Sequence, residues 1–241
     1  MSKTKVYWTI SPLVNAPSAI FDNPEKYPIL AKCPVVGKFS QQARYITTPY
    51  DLKIKPNWFY NQVTEEYVFD GFEASSTDLI HDNLWSLDTL LDTHIDTWMN
   101  KNEPQFQIVS PYVFMSEKPM TMNIVGLQAT ETKSSISNLR YIEAVLDINK
   151  MARPLSSAWS FTNKEEAHFI KGQPLYKLVF SEPVELCYFS AGEIFTNYCR
   201  INNGIVNYQK RGTSKKFKNI FNRQPKKLFK EIKNNVVYNE A

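Results

Sequence analysis

Two histidines and an aspartate raise the question of chemistry first. In the run DTHIDTWM, His94 and Asp96 stand as His-x-Asp, and His168 follows 74 residues later. Two imidazoles and one carboxylate in that order can hold iron(II) on one face, leaving positions open for a co-substrate and oxygen. Lys177, nine positions beyond His168, would be the cation that grips the carboxylate of 2-oxoglutarate. Iron with 2-oxoglutarate is therefore the one cofactor pair suggested. Against it stands the local pattern, because such a His-x-Asp belongs at a strand end and this one falls at helical spacing. Asp88, Asp92 and Asp96 are spaced by four and would form an acidic ridge that includes His94 only as a neighbour. That plainer reading is the one favoured, so no metal or cofactor is expected. His168 precedes Lys171-Gly172-Gln173-Pro174, a turn signal between two apolar runs, and is expected at a strand edge.

Other catalytic patterns are missing from the text of the chain. Only seven glycines are present, and no G-x-S-x-G, G-x-G-x-x-G or G-x-x-x-x-G-K-[ST] run occurs. The three cysteines, Cys33, Cys187 and Cys199, have no metal-ligand spacing. An odd count without a secretion signal points to reduced thiols in a cytoplasm. Cys187 lies in VELCYFS and reads as a small hydrophobe; Cys33, before Pro34, has no base to activate it. The adjacent carboxylates Glu65-Glu66 and Glu165-Glu166 read as solvated loop residues.

Charge is distributed unevenly. Residues 210–241 hold ten Lys/Arg and two Glu, whereas residues 1–209 hold 18 basic and 22 acidic side chains. The basic set Arg211, Lys215, Lys216, Lys218, Arg223, Lys226, Lys227, Lys230 and Lys233 is interleaved with Phe217, Phe221 and Phe229. On a helix the aromatics would dock on the body while the cations face out. Such a face is a solvated amphipathic helix, a phosphate-binding surface, or a contact for an acidic protein, another copy of the chain, or a membrane surface.

These groups must be positioned by a mostly extended chain. The prolines at 12, 17, 24, 28, 34, 49 and 56 forbid a long N-terminal helix and suggest a path that wraps the body. DLKIKP alternates as a half-buried strand, and EEYVFDGFE reads as a strand ending in a tight turn at Asp70-Gly71. Leu84, Leu87, Leu91, Ile95 and Trp98 recur at threes and fours and predict one central helix near 80–99, with two short strands as the alternative. From 104 to 190, QFQIVSPYVFM, MTMNIVGLQAT, LRYIEAVLDI, SSAWSFT, PLYKLVF and VELCYFS are short β-branched and aromatic runs between turn residues. Trp159 and Phe161 share one strand face. The expected fold is mainly β (α+β): an antiparallel sandwich or β-clip-like core over 104–200, the central helix, and a basic C-terminal helical segment. One domain over 1–209 and a separate basic segment over 210–241 are expected. No signal peptide and no transmembrane segment are expected, since no run of about 18 apolar residues occurs.

Two resemblances follow from particular stretches. AKCPVV…ITTPYDLKI, PQFQIVSPYVFMSEKPMTM, RPLSSAWSF, KGQPLYKLVF and RQPKKLFKEI resemble an uncharacterised protein family of tailed phages infecting marine bacteria. The resemblance spans roughly 28–60 and 104–230; it implies a viral origin and brings no activity with it. IEAVLDINKMARPLSSAWSFTNKEEAHFIKGQPLYKLVF is similar in order to part of the trimeric dUTPase pattern, a β-clip fold. That similarity would make Asp147 the water-activating carboxylate. The chain departs from it in having Asn149-Lys150 where Asp-Tyr should follow, and in lacking both the early D-A-G-x-D-L segment and a Gly-rich phosphate arm.

The functional expectation is a non-enzymatic phage protein that acts through protein or nucleic-acid contacts, as a virion component or a host-interaction factor. Its place would be the virion or the host cytoplasm. Its partner would be a protein or a second copy, with nucleic acid taken by the C-terminal segment. The alternative is a metal- or nucleotide-dependent enzyme with its site on the β core.

Overall fold

The computed structural model describes residues 3–11, 21–22, 43–48, 50–76, 91–92, 103–127, 134–149, 152, 154–200 and 225–239. Among them are sixteen strands and two helices, a mainly β (α+β) architecture.

One sheet organises the rest. It runs β16 (Val236–Asn239), β15 (Val184–Phe189), β1 (Thr4–Ile10), β8 (Tyr112–Ser116). β1 pairs parallel with β15, Thr4 opposite Val184 and Trp8 opposite Tyr188, and antiparallel with β8. Its strands are apolar on successive residues because both faces are covered. Val6, Trp8, Tyr112, Phe114, Val184 and Leu186 face a large core, while Tyr7, Val113, Met115, Cys187 and Phe189 face a second, smaller one. Fully burying one such side chain contributes roughly 1.5–3 kcal/mol. The sequence pattern suggests antiparallel pairing, which β1 makes with β8, while its pairing with β15 is parallel; the prolines at 12, 17, 24, 28, 34 and 49, on which the expected wrapping path rests, lie outside the described residues.

The large core is closed by three antiparallel sheets. One runs β11 (Ala144–Asp147), β9 (Thr121–Val125), β14 (Pro174–Phe180), β3 (Ala43–Thr47), β2 (Phe21–Asp22). Another runs β10 (Leu139–Ile142), β12 (Ser156–Phe161), β7 (Gln105–Val109), β6 (Leu91–Asp92). The third runs β13 (Ala167–Phe169), β4 (Leu52–Asn61), β5 (Glu66–Ser75). The chain changes sheet at Glu143, between β10 and β11, and at Ser110-Pro111, between β7 and β8. Aromatic rings fill the interior: Phe106 lies 5.6 Å from Phe161, and Trp159 lies 4.7 Å from Tyr141 and 5.3 Å from Phe169.

Two local expectations change. Leu91–Asp92 lies in the segment expected to be helical, yet it is extended and pairs with Ile108 and Gln107 of β7. The flanking threonines are weak helix formers and the aspartate ridge repels itself, so an open strand edge prevails at that point. Residues 77–90 and 93–100 lie outside the described residues. Asp70-Gly71 is not a turn but a bulge in β5: both residues oppose Asn57 alone, and Gly71 takes φ 109°. The hairpin turns at 62–65, where the Asn61 side chain accepts the Val63 N–H at 2.9 Å.

The second core is roofed by α1 (residues 193–200) and α2 (Pro225–Asn234). Phe195 and Cys199 descend from α1, and Leu228, Phe229 and Ile232 from α2. Pro225 occupies the first helical position, where its missing N–H costs nothing. The start of α1 has Gly192 where a capping side chain would stand. Its free N–H groups are taken by α2 instead: Glu231 accepts Ile194 N–H at 3.1 Å and Phe195 N–H at 2.9 Å. A carboxylate at a helix N-terminus also meets the positive end of the helix dipole. A Cβ on Gly192 would lie 2.5 Å from the Glu231 carboxyl carbon, so the glycine makes room for the cap.

Glu231→Ala should therefore destabilise the protein by about 1–2 kcal/mol, a capping loss. Glu231→Gln, which keeps an acceptor, should lose less, and Gly192→Ala should mimic Glu231→Ala. Denaturant midpoints measure all three; an Ala variant as stable as wild type contradicts the cap.

Candidate functional site

The cationic residues of α2 do not stand alone. Leu228, Phe229 and Ile232 turn inward, which leaves Lys226, Lys227, Lys230 and Lys233 exposed. Lys226, Lys230 and Lys233 fall at i, i+4 and i+7, one ridge of the helix. Beneath this ridge lies a groove of about 530 Å³ whose walls include Lys3 and Lys5 of the N-terminus, Lys118 of the turn after β8, and Lys233. Tyr7, Cys187 and Val236 contribute to its lining. A smaller hollow of about 250 Å³ shares Glu117 and Lys233 with it and adds Lys226 and Lys230. Among the described residues, six lysines thus line the two hollows, with Glu117 in the wall and Glu185 beside Lys5.

The parallel β1–β15 pairing creates this convergence. It sets the N-terminus beside β15, and β16 returns α2 to the same sheet through the Ser190 N–H to Asn235 C=O bond at 3.0 Å. Glu117 bonds Lys233 at 2.6 Å and raises the lysine pKa, holding it charged. Lys5 is 3.7 Å from Glu185 across the sheet. Pairs this exposed add little to stability. Lys3, Lys118, Lys226 and Lys230 meet no carboxylate among the described residues.

Among the described residues that line the groove, neither Cys187 nor Tyr7 is activated as a nucleophile. Burial pushes the Cys187 thiol up, the Glu185 charge adds to the rise, and Lys5 only partly opposes it. Burial pushes the Cys199 thiol up to about 12. Thiols of this kind remain protonated and inert at neutral pH. Burial likewise raises the Tyr7 hydroxyl, with Lys233 opposing.

The other candidates lie elsewhere. His168 is on β13, whose neighbours Ala167 and Phe169 turn into the core while its own side chain is half-exposed. Its Nε2 is 3.6 Å from Asp51 Oδ1, too long for a hydrogen bond. His94 and Asp96 lie outside the described residues, as do Arg211, Lys215, Lys216, Lys218 and Arg223. Among the described residues no three His, Cys, Asp or Glu side chains come together as metal ligands. Lys177 lies on β14, a strand of a different sheet from His168. Asp147 ends edge strand β11, half-buried and opposite Thr121. None of these joins the lysine groove. Lys3, Lys5 and Lys118 carry no signal in the sequence, because their significance depends on pairings of β1 with β15 and β8, between residues about 180 and 110 positions apart.

Compared with protein-family models, curated proteins and solved structures, the chain matches none. No helix among the described residues is long and apolar enough to cross a membrane.

The raised groups set an alkaline limit. Cys187, Cys199, Tyr7, Tyr50, Tyr141 and Tyr176 all have folded pKa values above their ordinary ones, mainly through burial. The stability they contribute is complete below the unfolded pKa values, about 8.5 for Cys and 10 for Tyr. It is lost as pH rises from there through the folded values. Unfolding midpoints should be flat from pH 7 to 8 and fall steadily above about pH 9. In the folded protein, Cys187→Ser and Cys199→Ser should leave the number of fast-reacting thiols unchanged.

Proposed function

We propose that this chain is a non-enzymatic phage protein that works by contact, binding the phosphate backbone of nucleic acid in the lysine groove. What carries the reading is the convergence of six lysines, from three separated segments, around hollows where, among the described residues, Glu117 lines the wall and Glu185 lies beside Lys5. Counterion release drives binding to such a surface and makes it strongly salt-dependent. The ring systems beside the groove, Tyr7 and Phe229, are buried at 5% exposure each and offer no face on which a base could stack. Recognition would therefore be of the backbone and largely independent of sequence. The further cations at 211–223 would add to the same attraction. The protein would act in the virion or in the cytoplasm of an infected host.

Titration of labelled duplex DNA across a salt series tests this. Lys226→Ala with Lys230→Ala should weaken binding and reduce the slope of log K against log salt by roughly 0.9 for each phosphate no longer neutralised. Both lysines are exposed, so folding should be unaffected. Absence of binding at low salt, or a slope unchanged by the double substitution, would refute the reading.

A further inference from the structure

The β4–β5 hairpin presents a surface that the groove does not explain. Up to Pro56, β4 alternates buried and exposed residues; beyond it, no residue from 57 to 75 is buried. From Asn57 to Asn61 the strand extends about 16 Å past the last buried position. The projecting part is apolar where water would favour polar groups: Phe59 is 46% exposed, Tyr60 51%, Tyr67 59% and Val63, in the turn, 91%. Tyr60 and Tyr67 meet edge to face at 5.3 Å, as do Trp58 and Phe69 at 5.7 Å. The arm is thus a prepared aromatic surface, and exposed apolar groups clustered in this way mark contact sites.

Its charge identifies the kind of partner. Residues 57–75 contain Glu65, Glu66, Asp70 and Glu73 and no Lys or Arg. Lys164 lies against the rings, its ammonium 3.5 Å above Tyr67 and 5.3 Å from Trp58. Four carboxylates would repel nucleic acid, so these aromatics are no base-stacking platform. Addition of a strand to β5 is also opposed, because the Asp70-Gly71 bulge and the edge carboxylates blunt its outer edge. The contact must be through side chains with a cationic surface. That surface exists on the same chain: the lysine groove, on the helix side of the sheet that holds β1. The arm, by contrast, is rooted in the large core through Phe72, 5.6 Å from Phe106 and 5.9 Å from Phe161.

We propose that the arm of one copy docks in the lysine groove of a second copy, so that self-assembly and nucleic acid compete for one surface. The proposal rests on the groove being an anion-binding surface, as argued above. Two different patches meet, so the contact is heterologous and generates a ring or an open filament. Self-association is released when a nucleic acid takes the groove.

Sedimentation of the full chain, in low salt and at about 0.5 M salt where the screening length is a few ångströms, tests it. Assembly should grow with concentration in low salt, disperse in high salt and disperse on adding a DNA oligonucleotide. Glu65→Lys with Glu66→Lys, and separately Lys226→Glu with Lys230→Glu, should each be monomeric alone. Mixed one to one they should associate as heterodimers, since the intact arm of the Lys226→Glu/Lys230→Glu chain meets the intact groove of the Glu65→Lys/Glu66→Lys chain. Thermal melts would establish that both variants fold. A wild-type chain that stays monomeric in low salt, or a mixture that does not associate, overturns the proposal. DNA binding by a Glu65→Gln/Glu66→Gln chain, whose groove is intact and whose arm gains no cation, separates the two readings. Binding with no wild-type assembly defeats the arm alone; assembly with no DNA binding defeats the nucleic-acid reading alone.

Discussion

A sheet covered on both faces leaves no outlet for a charge along its inner strands, and the arrangement of this protein follows from that restriction. Val6, Tyr7, Trp8 and Thr9 are buried in succession, as are all five residues of Tyr112–Ser116. Lysines can appear only where such strands end. Lys3 and Lys5 lie at the entry to β1, and Lys118 lies just past the exit of β8. Because β1 and β8 run antiparallel, that entry and that exit are at the same end of the sheet. The clustering of cations is thus a consequence of sheet geometry before α2 adds its own.

The helix side depends on the same sheet. Tyr7, Cys187 and Phe189 give α1 and α2 an apolar floor, and Phe195, Leu228 and Ile232 seat on it. Seating fixes the rotation of α2, and rotation decides which residues face the groove. Glu231 points to α1 and caps it, while Lys226, Lys230 and Lys233 point to water. One acidic residue in a helix of lysines is thereby removed from the cationic surface and used in its support. Such a division of labour joins stability and function through a single orientation.

Much of this is legible in the chain itself. Short strands from 104 to 190, the apolar and cationic faces of 225–234, and Trp159 and Phe161 on one side of a strand all follow from periodicity, which is a local property. What is hidden is non-local. The alternation of EEYVFDGFE does not tell a turn at Gly71 from a bulge, because the distinction depends on Asn57 across the hairpin. The period of Leu87 and Leu91 matches a helix, but Leu91 pairs with Ile108, and only the neighbouring strand reveals that. Likewise the tail lysines are visible as a charge run, whereas Lys3, Lys5 and Lys118 join them only through the pairing of β1 with β15 and with β8. The turn signal after His168 places it at a strand edge, and it lies half-exposed on β13 beside Asp51.

Hydrogen–deuterium exchange of the full chain, with and without a short DNA duplex, tests the central claim most directly. Backbone amides report where the ligand sits without any substitution. The account predicts slowed exchange at residues 3–5, at 117–118 and along 225–234, with the face around His168 unchanged. Protection confined to other residues, or no protection when binding is saturated, would contradict it.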